Sequence, residues 1–182
     1  MRSLKPKKCR ICGELFLPRT TLQRVCSVKC GAAWAREIKA KEEAKADKLQ
    51  REKLKTRAMW MREAQAVVNA FIRLRDYGQP CISCGRYHTG KMNAGHYFTT
   101  AARPELRFDE RNIHAQCEPC NSHLSGNISA YRPRLIAKIG LAAVEELEGP
   151  HPPKKYTIEE LKAIKEKYKL LARELEKERA VY

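Results

Sequence analysis

Apolar residues recur along the chain in distinct rhythms, and each rhythm predicts a different element. From 58 to 77, Trp60, Ala64, Val67, Phe71 and Leu74 return at helical spacing and Gly78 follows as a stop, which predicts a core helix packed on what comes next. Near the end, Thr157 and Glu160 form a capping box. Leu161, Ile164, Tyr168, Leu171 and Leu175 then alternate steps of three and four, so a final helix to about Arg179 carries a short heptad seam. Two heptads suit a dimer contact and docking on the protein's own domain equally well. In between, 134–139 and 141–147 read as short helices separated by Gly140, and Gly149-Pro150-His151-Pro152-Pro153 as a stiff linker. Residues 79–128 are rich in turn formers, with strand-like runs between Cys81 and His96. Residues 32–57 contain neither Gly nor Pro and are mostly Ala, Lys, Glu and Arg, a composition that favours helix. Ile38, Leu49 and Leu54 are too sparse there to bury a continuous face, so this helix reads as an exposed connector.

Composition limits the size of any core. The 182 residues are 43% hydrophobic and 32% charged, and the most apolar run, 135–144, is broken by Lys138 and Gly140. A membrane-spanning helix needs about 20 apolar residues and is excluded. Basic residues at the N-terminus have no apolar stretch behind them, so no secretory signal is expected and the cytoplasm is the expected compartment. The net charge is +16, which points to a polyanionic partner, nucleic acid by default, rather than a membrane or a small-molecule substrate. Residues 1–30 carry eight basic side chains against one acidic, whereas 81–128 carry five against four and hold four of the five histidines. The flanks thus grip a backbone while the near-neutral centre does something else; charge kept only for solvation is the plainer alternative.

The eight cysteines fall into two quartets, Cys9, Cys12, Cys26 and Cys30, then Cys81, Cys84, Cys117 and Cys120. Gaps of two or three residues let paired thiolates reach neighbouring corners of a tetrahedron, as Zn²⁺ requires, and a reducing compartment disfavours the alternative of disulfides. Gly13 and Gly85 follow the Cys-x2-Cys pairs, where a knuckle needs positive φ. In the first quartet Lys7, Lys8, Arg10 and Arg24 surround the cysteines, which suggests a structural zinc presenting cations to phosphates. The second quartet encloses or adjoins Asn93, His96, Asn112, His114, Asn121 and His123, a concentration that a purely structural zinc does not require.

The pattern of Cys-x2-Cys, His, Asn and a second Cys-x2-Cys followed by Asn resembles the HNH, or ββα-metal, nucleases, most closely the endonuclease VII type of junction-resolving enzyme. Over nearly its whole length the chain resembles the phage-lambda NinG (Rap) recombination endonuclease family. Pro80-Cys81-Ile82-Ser83-Cys84-Gly85, Ala94-Gly95-His96-Tyr97, Leu106-Arg107-Phe108, Arg111-Asn112-Ile113-His114 and the run Asn121 to Asn127 carry the match. The resemblance implies an α+β, mostly helical fold with an N-terminal four-cysteine zinc finger (1–31), a charged helical connector (32–57), a central zinc-stapled ββα-metal module (58–148), and a linker with an amphipathic helix (149–182). It implies hydrolysis of branched DNA, Holliday junctions or D-loops, by a homodimer. His96 is then the general base, Asn93 and Asn121 ligands of a catalytic Mg²⁺ or Mn²⁺, and Asn112 the residue tying down the loop between strands. His114 and His123 are second-tier candidates. The family pattern has Asp where Asn93 stands; a neutral amide is the weaker ligand, and Asp109 or Glu110 is the acid available to compensate. Asn93 as a plain turn residue and His96 as a structural histidine are the competing readings. They leave a non-catalytic zinc-finger DNA-binding protein, or a general nicking nuclease, as rivals.

Overall fold

The computed structural model describes residues 4–180. The chain divides into two compact units, residues 1–55 and 56–182.

In the first unit β1 (Lys7–Lys8) and β2 (Leu15–Phe16) form a small antiparallel ladder around the first cysteine knuckle. Gly13 turns that knuckle at φ +77°, the left-handed conformation that a glycine adopts without penalty. Helix α1 (Val28–Lys53) starts inside the second half of the quartet rather than at residue 32, because the Ser27 side chain accepts the Cys30 N–H and caps it there. It ends at Lys53, short of 57, and buries no residue. Ile38, Leu49 and Leu54 lie exposed, as their sparse spacing indicates.

The second unit opens with α2 (Arg57–Arg75), capped by Thr56, whose hydroxyl accepts the Met59 N–H. Trp60, Ala64 and Phe71 are buried as the periodicity predicts, but Val68 and Ile72 join them while Val67 and Leu74 stay half-buried. A helix covered on two sides buries a wider arc than one stripe. Strands β3 (Met92–His96) and β4 (Ile113–Cys117) pair antiparallel, with Met92 opposite Cys117 and His96 opposite Ile113. A short helical turn at Pro119–His123 follows, then α3 (Ile128–Ile139) and α4 (Leu141–Glu148) on either side of Gly140. Helix α3 begins six residues before the expected 134, with Pro133 inside it. In the second turn proline forfeits a single backbone hydrogen bond near the helix start, which the packing of Tyr131 and Leu135, both fully buried, outweighs.

The last helix, α5 (Ile158–Ala180), carries the reciprocal capping box: Thr157 N–H donates to Glu160 Oε2 at 2.8 Å and Glu160 N–H to Thr157 Oγ1 at 3.2 Å. Its heptad seam is used within the unit. Leu161 and Tyr168 are buried against Trp60, Val68 and Phe71, with Ile164, Leu171 and Leu175 packed around them. The Tyr168 ring lies 5.1 Å from that of Phe71. Helix α5 runs parallel to α2, with Lys165 on Glu63 at one end and Arg179 on the Leu74 carbonyl at the other. A second core under β3 joins Ile82, Tyr97, Leu106 and the inner faces of α3 and α4.

Leu161→Ala is expected to destabilise this unit by about 2–5 kcal/mol, the usual cost of a cavity at a fully buried leucine. Leu171→Glu should lower the melting temperature without changing the sedimentation coefficient. A change of oligomeric state with unaltered stability would assign the seam to a contact between copies.

Candidate functional site

Both cysteine quartets converge. Within each, one sulfur from every cysteine lies within 4.8 Å of the other three, and no cysteine is in a disulfide. Cys12 and Cys26 sulfurs are 3.6 Å apart, as are those of Cys26 and Cys30; Cys84 and Cys117 are 3.9 Å apart. Tetrahedral Zn²⁺ with Zn–S bonds of ~2.3 Å brings sulfurs to roughly this separation. The protein already biases one thiol of each quartet toward ionisation. Backbone N–H groups, Cys12's first, lower Cys9 to about 6, while sharing protons with Cys12, Cys30 and Cys9 pushes Cys26 up to about 12. In the second quartet burial opposes ionisation of Cys81, yet the N–H groups of Cys117, Cys84 and Ser83 bring it down to about 7. Burial drives Cys117 up to about 12. One thiolate forms readily in each quartet, at Cys9 and at Cys81, while Cys12, Cys26, Cys84 and Cys117 are pushed upward, so a full set of negative charges calls for a cation. Both sets fit zinc.

The second quartet clamps the knuckle after α2 to the end of β4 and the turn that follows. Gly85 takes φ +70° there, and a Cβ would strike the Arg134 guanidinium at 2.2 Å. His88, which no motif singles out, places Nε2 3.5 Å from Cys84 Sγ and so touches the sulfur cluster from outside. On the hairpin Gln116 crosses over Gly95, where a Cβ would meet its Oε1 at 2.1 Å, and only glycine fits. The Gln116 amide donates to Ser83 Oγ and the Gly126 carbonyl, binding the hairpin to both flanks of the cysteine cluster.

Asn112 is fully buried. Its Oδ1 accepts the Phe98 N–H and its Nδ2 donates to the Phe98 and Leu106 carbonyls, so it laces the loop between β3 and β4 at three points. Every partner is backbone, which makes it a positioning residue. His114 is also committed: Nδ1 accepts from Arg75 at 3.0 Å and Nε2 donates to the Arg111 carbonyl at 3.1 Å. With both nitrogens occupied and burial pushing its pKa down, it is a neutral structural imidazole.

His96 differs. Its Nε2 donates to the Arg107 carbonyl at 3.1 Å, which fixes the proton on that nitrogen. Nδ1 therefore carries the lone pair, and it has no hydrogen-bond partner among the described residues. Burial, helped by the Arg107 charge, lowers its pKa and keeps the ring neutral.

Asn93 and Asn121 are brought together by a chain of hydrogen bonds. Asn93 Nδ2 donates to Glu118, the Ser122 hydroxyl donates to the other Glu118 oxygen at 2.9 Å, and Asn121 Nδ2 reaches Ser122 Oγ at 3.5 Å. Exposed His123 ends the same short helix. Strand alternation keeps this corner apart from His96, since positions 93 and 96 differ by three and project to opposite faces of β3. The acid beside Asn93 is Glu118, not the anticipated Asp109 or Glu110. Asp109 is paired with Arg111, and Glu110 accepts from the Tyr168 hydroxyl. Glu118 was identifiable only from hairpin register, which sets Asn93 opposite Gln116 and so near it.

In the first unit Lys7, Lys8, Arg10 and Arg24 line one cavity of about 560 Å³ beside Cys9, with Lys7 Nζ held by the Thr21 carbonyl. Arg10 also lies over the Trp34 ring, 5.8 Å from its centre.

Fold and clusters together define a mixed, mostly helical α+β protein with two cysteine quartets that could each hold zinc. Residues 1–178 match the family model described as Bacteriophage Lambda NinG protein, and the chain belongs to that family. It is 44% identical to Protein ninG of Escherichia phage 933W over 192 residues, covering 96% of both chains. It is 45% identical to Protein ninG of Salmonella phage P22, covering 98% of this chain and 96% of that one. Protein ninG of Escherichia phage lambda is likewise 45% identical, over 93% of this chain and 92% of its own. No solved structure matches the chain. Among the described residues no helix is long and apolar enough to cross a membrane.

Metal analysis should give about two zinc ions per chain. Cys117→Ser should release one of them and unfold the second unit, since an incomplete tetrahedron forfeits metal-linked folding energy. Zinc retention should fall as the pH drops below 7, because thiols such as Cys81 regain their protons; calorimetric titration across that range is the check.

Proposed function

We propose that the protein is a zinc-stapled endonuclease acting on branched DNA such as Holliday junctions or D-loops. The observation carrying this reading is the state of His96: its tautomer is set by the Arg107 carbonyl, its ring is neutral, and Nδ1 is left without a partner among the described residues. A general base needs a free lone pair on a neutral ring at neutral pH, and His114, the other histidine of the hairpin, has none to offer. In this reading Nδ1 of His96 takes the proton of the attacking water, and Asn112 keeps the loop that ends in the Arg107 anchor in place. The Asn93, Glu118 and Asn121 corner supplies one carboxylate and two amide oxygens, a hard-oxygen set compatible with Mg²⁺ or Mn²⁺ retaining several waters. When bound, such an ion supplies charge neutralisation at the scissile phosphate. The preference for branched DNA and the homodimer are proposed from the family resemblance.

One observation favours the binding-only alternative. Asn93 is engaged with Glu118 and lies on the face of β3 opposite His96. In that alternative the two zinc units hold DNA and nothing is cut.

Incubation with a labelled four-way junction and a matched duplex, with and without Mg²⁺, separates the two. His96→Ala should slow cleavage by roughly 10²–10⁴-fold, the usual worth of a general base, with junction affinity and zinc content nearly unchanged. Cleavage that survives the substitution would remove His96 from the chemistry.

The pH–rate profile tests the same group independently. The folded pKa of His96 is depressed, so cleavage should be level above 6.5 and fall as the pH drops below it, when Nδ1 is protonated. Asn93→Asp should lower the Mg²⁺ concentration for half-maximal rate. Wild-type protein that binds junctions without cutting them, yet cuts as Asn93→Asp, would establish the binding-only role.

A further inference from the structure

We infer that a cationic cavity between the start of α2, the loop after β3 and the linker before α5 is a seat for a nucleic-acid sugar–phosphate backbone. It encloses about 490 Å³, and Arg57, Arg62, Arg107, Lys154 and Lys155 line it without a single carboxylate. Five cations converging on one concave site repel one another, and this chain does little to compensate them. Arg57, Arg62 and Lys155 make no ion pair among the described residues. Arg107 donates only to neutral groups, Gln65 Oε1 at 3.2 Å and the Thr100 carbonyl at 3.4 Å. Of the five, only Lys154 is in an ion pair among the described residues, with Glu160 at 3.4 Å. An anion relieves this repulsion, and a polyanion does so while releasing its condensed counterions.

The lining also says which part of a nucleic acid fits. Tyr156 is buried, and Lys154 Nζ sits 4.8 Å from its ring centre, so no open aromatic face is presented for a base to stack on. The occupant is therefore the backbone, held independently of sequence. Arg107 gives the cavity its meaning for the site, because it lines the cavity while its carbonyl holds His96 Nε2. A strand seated here passes within one residue of the ring read above as the general base. The inference rests on the reading of this protein as one that handles DNA, but it concerns where the strand lies and not whether it is cut.

The test measures binding of the full chain, zinc-loaded, to a labelled four-way junction without Mg²⁺, by anisotropy at several salt concentrations. Arg62→Glu and Lys155→Glu should each weaken binding about tenfold and reduce the slope of log affinity against log salt by ~0.9 or more, the share of one phosphate contact. Lys177→Glu, the same charge change on the exposed end of α5, should weaken it less than twofold. Equal losses in all three variants would reduce the effect to net charge and overturn the inference. In the unaltered protein, acetylation of Lys155 should be blocked by bound junction while that of Lys177 proceeds. This readout does not depend on any variant folding. Equal protection of Lys155 by inorganic phosphate at the same phosphate concentration, or no protection by the junction, would also overturn it. A protein that protects Lys155 but never cleaves leaves the cavity assigned and removes the nuclease; one that cleaves with Lys155 unprotected does the reverse.

Discussion

A single buried carboxylate holds the second unit together. Asp76, at the end of α2, is 4% exposed and accepts from the Ala115 backbone N–H at 2.9 Å, from Arg75 at 2.9 Å and from Lys138 of α3 at 3.0 Å. Burial works against its charge, yet the Arg75 guanidinium and the Ala115 N–H outweigh that and hold it far below the usual carboxylate range. Three elements distant in sequence thereby meet at one ionised group. Removing the carboxylate would strand the Ala115 N–H in the core and leave Arg75 beside neutral His114, so the hairpin's placement on α2 depends on it.

From that anchor the cysteine quartet and the hairpin follow in turn. Arg75 extends the network to the Ile113 and Glu110 carbonyls, fixing the start of β4. The strand's other end carries Cys117, which the knuckle at Cys81 and Cys84 meets. Metal there and charge at Asp76 act on different parts of a five-residue strand, and Asn112 then holds the loop that brings Arg107 under His96. The neutral state of His96 is thus the product of several layers of hydrogen bonding beneath it.

The two units solve the same shortage of apolar residues in different ways. The first has no apolar core cluster of its own among the described residues, only buried Cys9 and Pro18, and relies on its quartet. The second has two apolar cores as well as its quartet, with α5 closing one of them. Burying the heptad seam inside the unit leaves the outer face of α5 mostly polar and charged, with Leu170 its one large exposed apolar residue among those described.

The sequence by itself determined the cysteine quartets, the two long helices of the second unit, the capping box and the exposed connector. Each rests on spacing or composition over a short window: Cys-x2-Cys reaches one tetrahedron by its own turn, and Thr157 with Glu160 closes a cap within four residues. Tertiary structure decided what depends on contacts between distant segments. Whether Leu161 and Tyr168 face a second copy or α2 is set by where α2 lies, which heptad spacing does not encode. That His114 is locked while His96 keeps a nitrogen without a partner among the described residues depends on Arg75, Arg107 and Arg111. These are three arginines that look alike in sequence and part company only through the carbonyls and ring atoms the fold sets beside them.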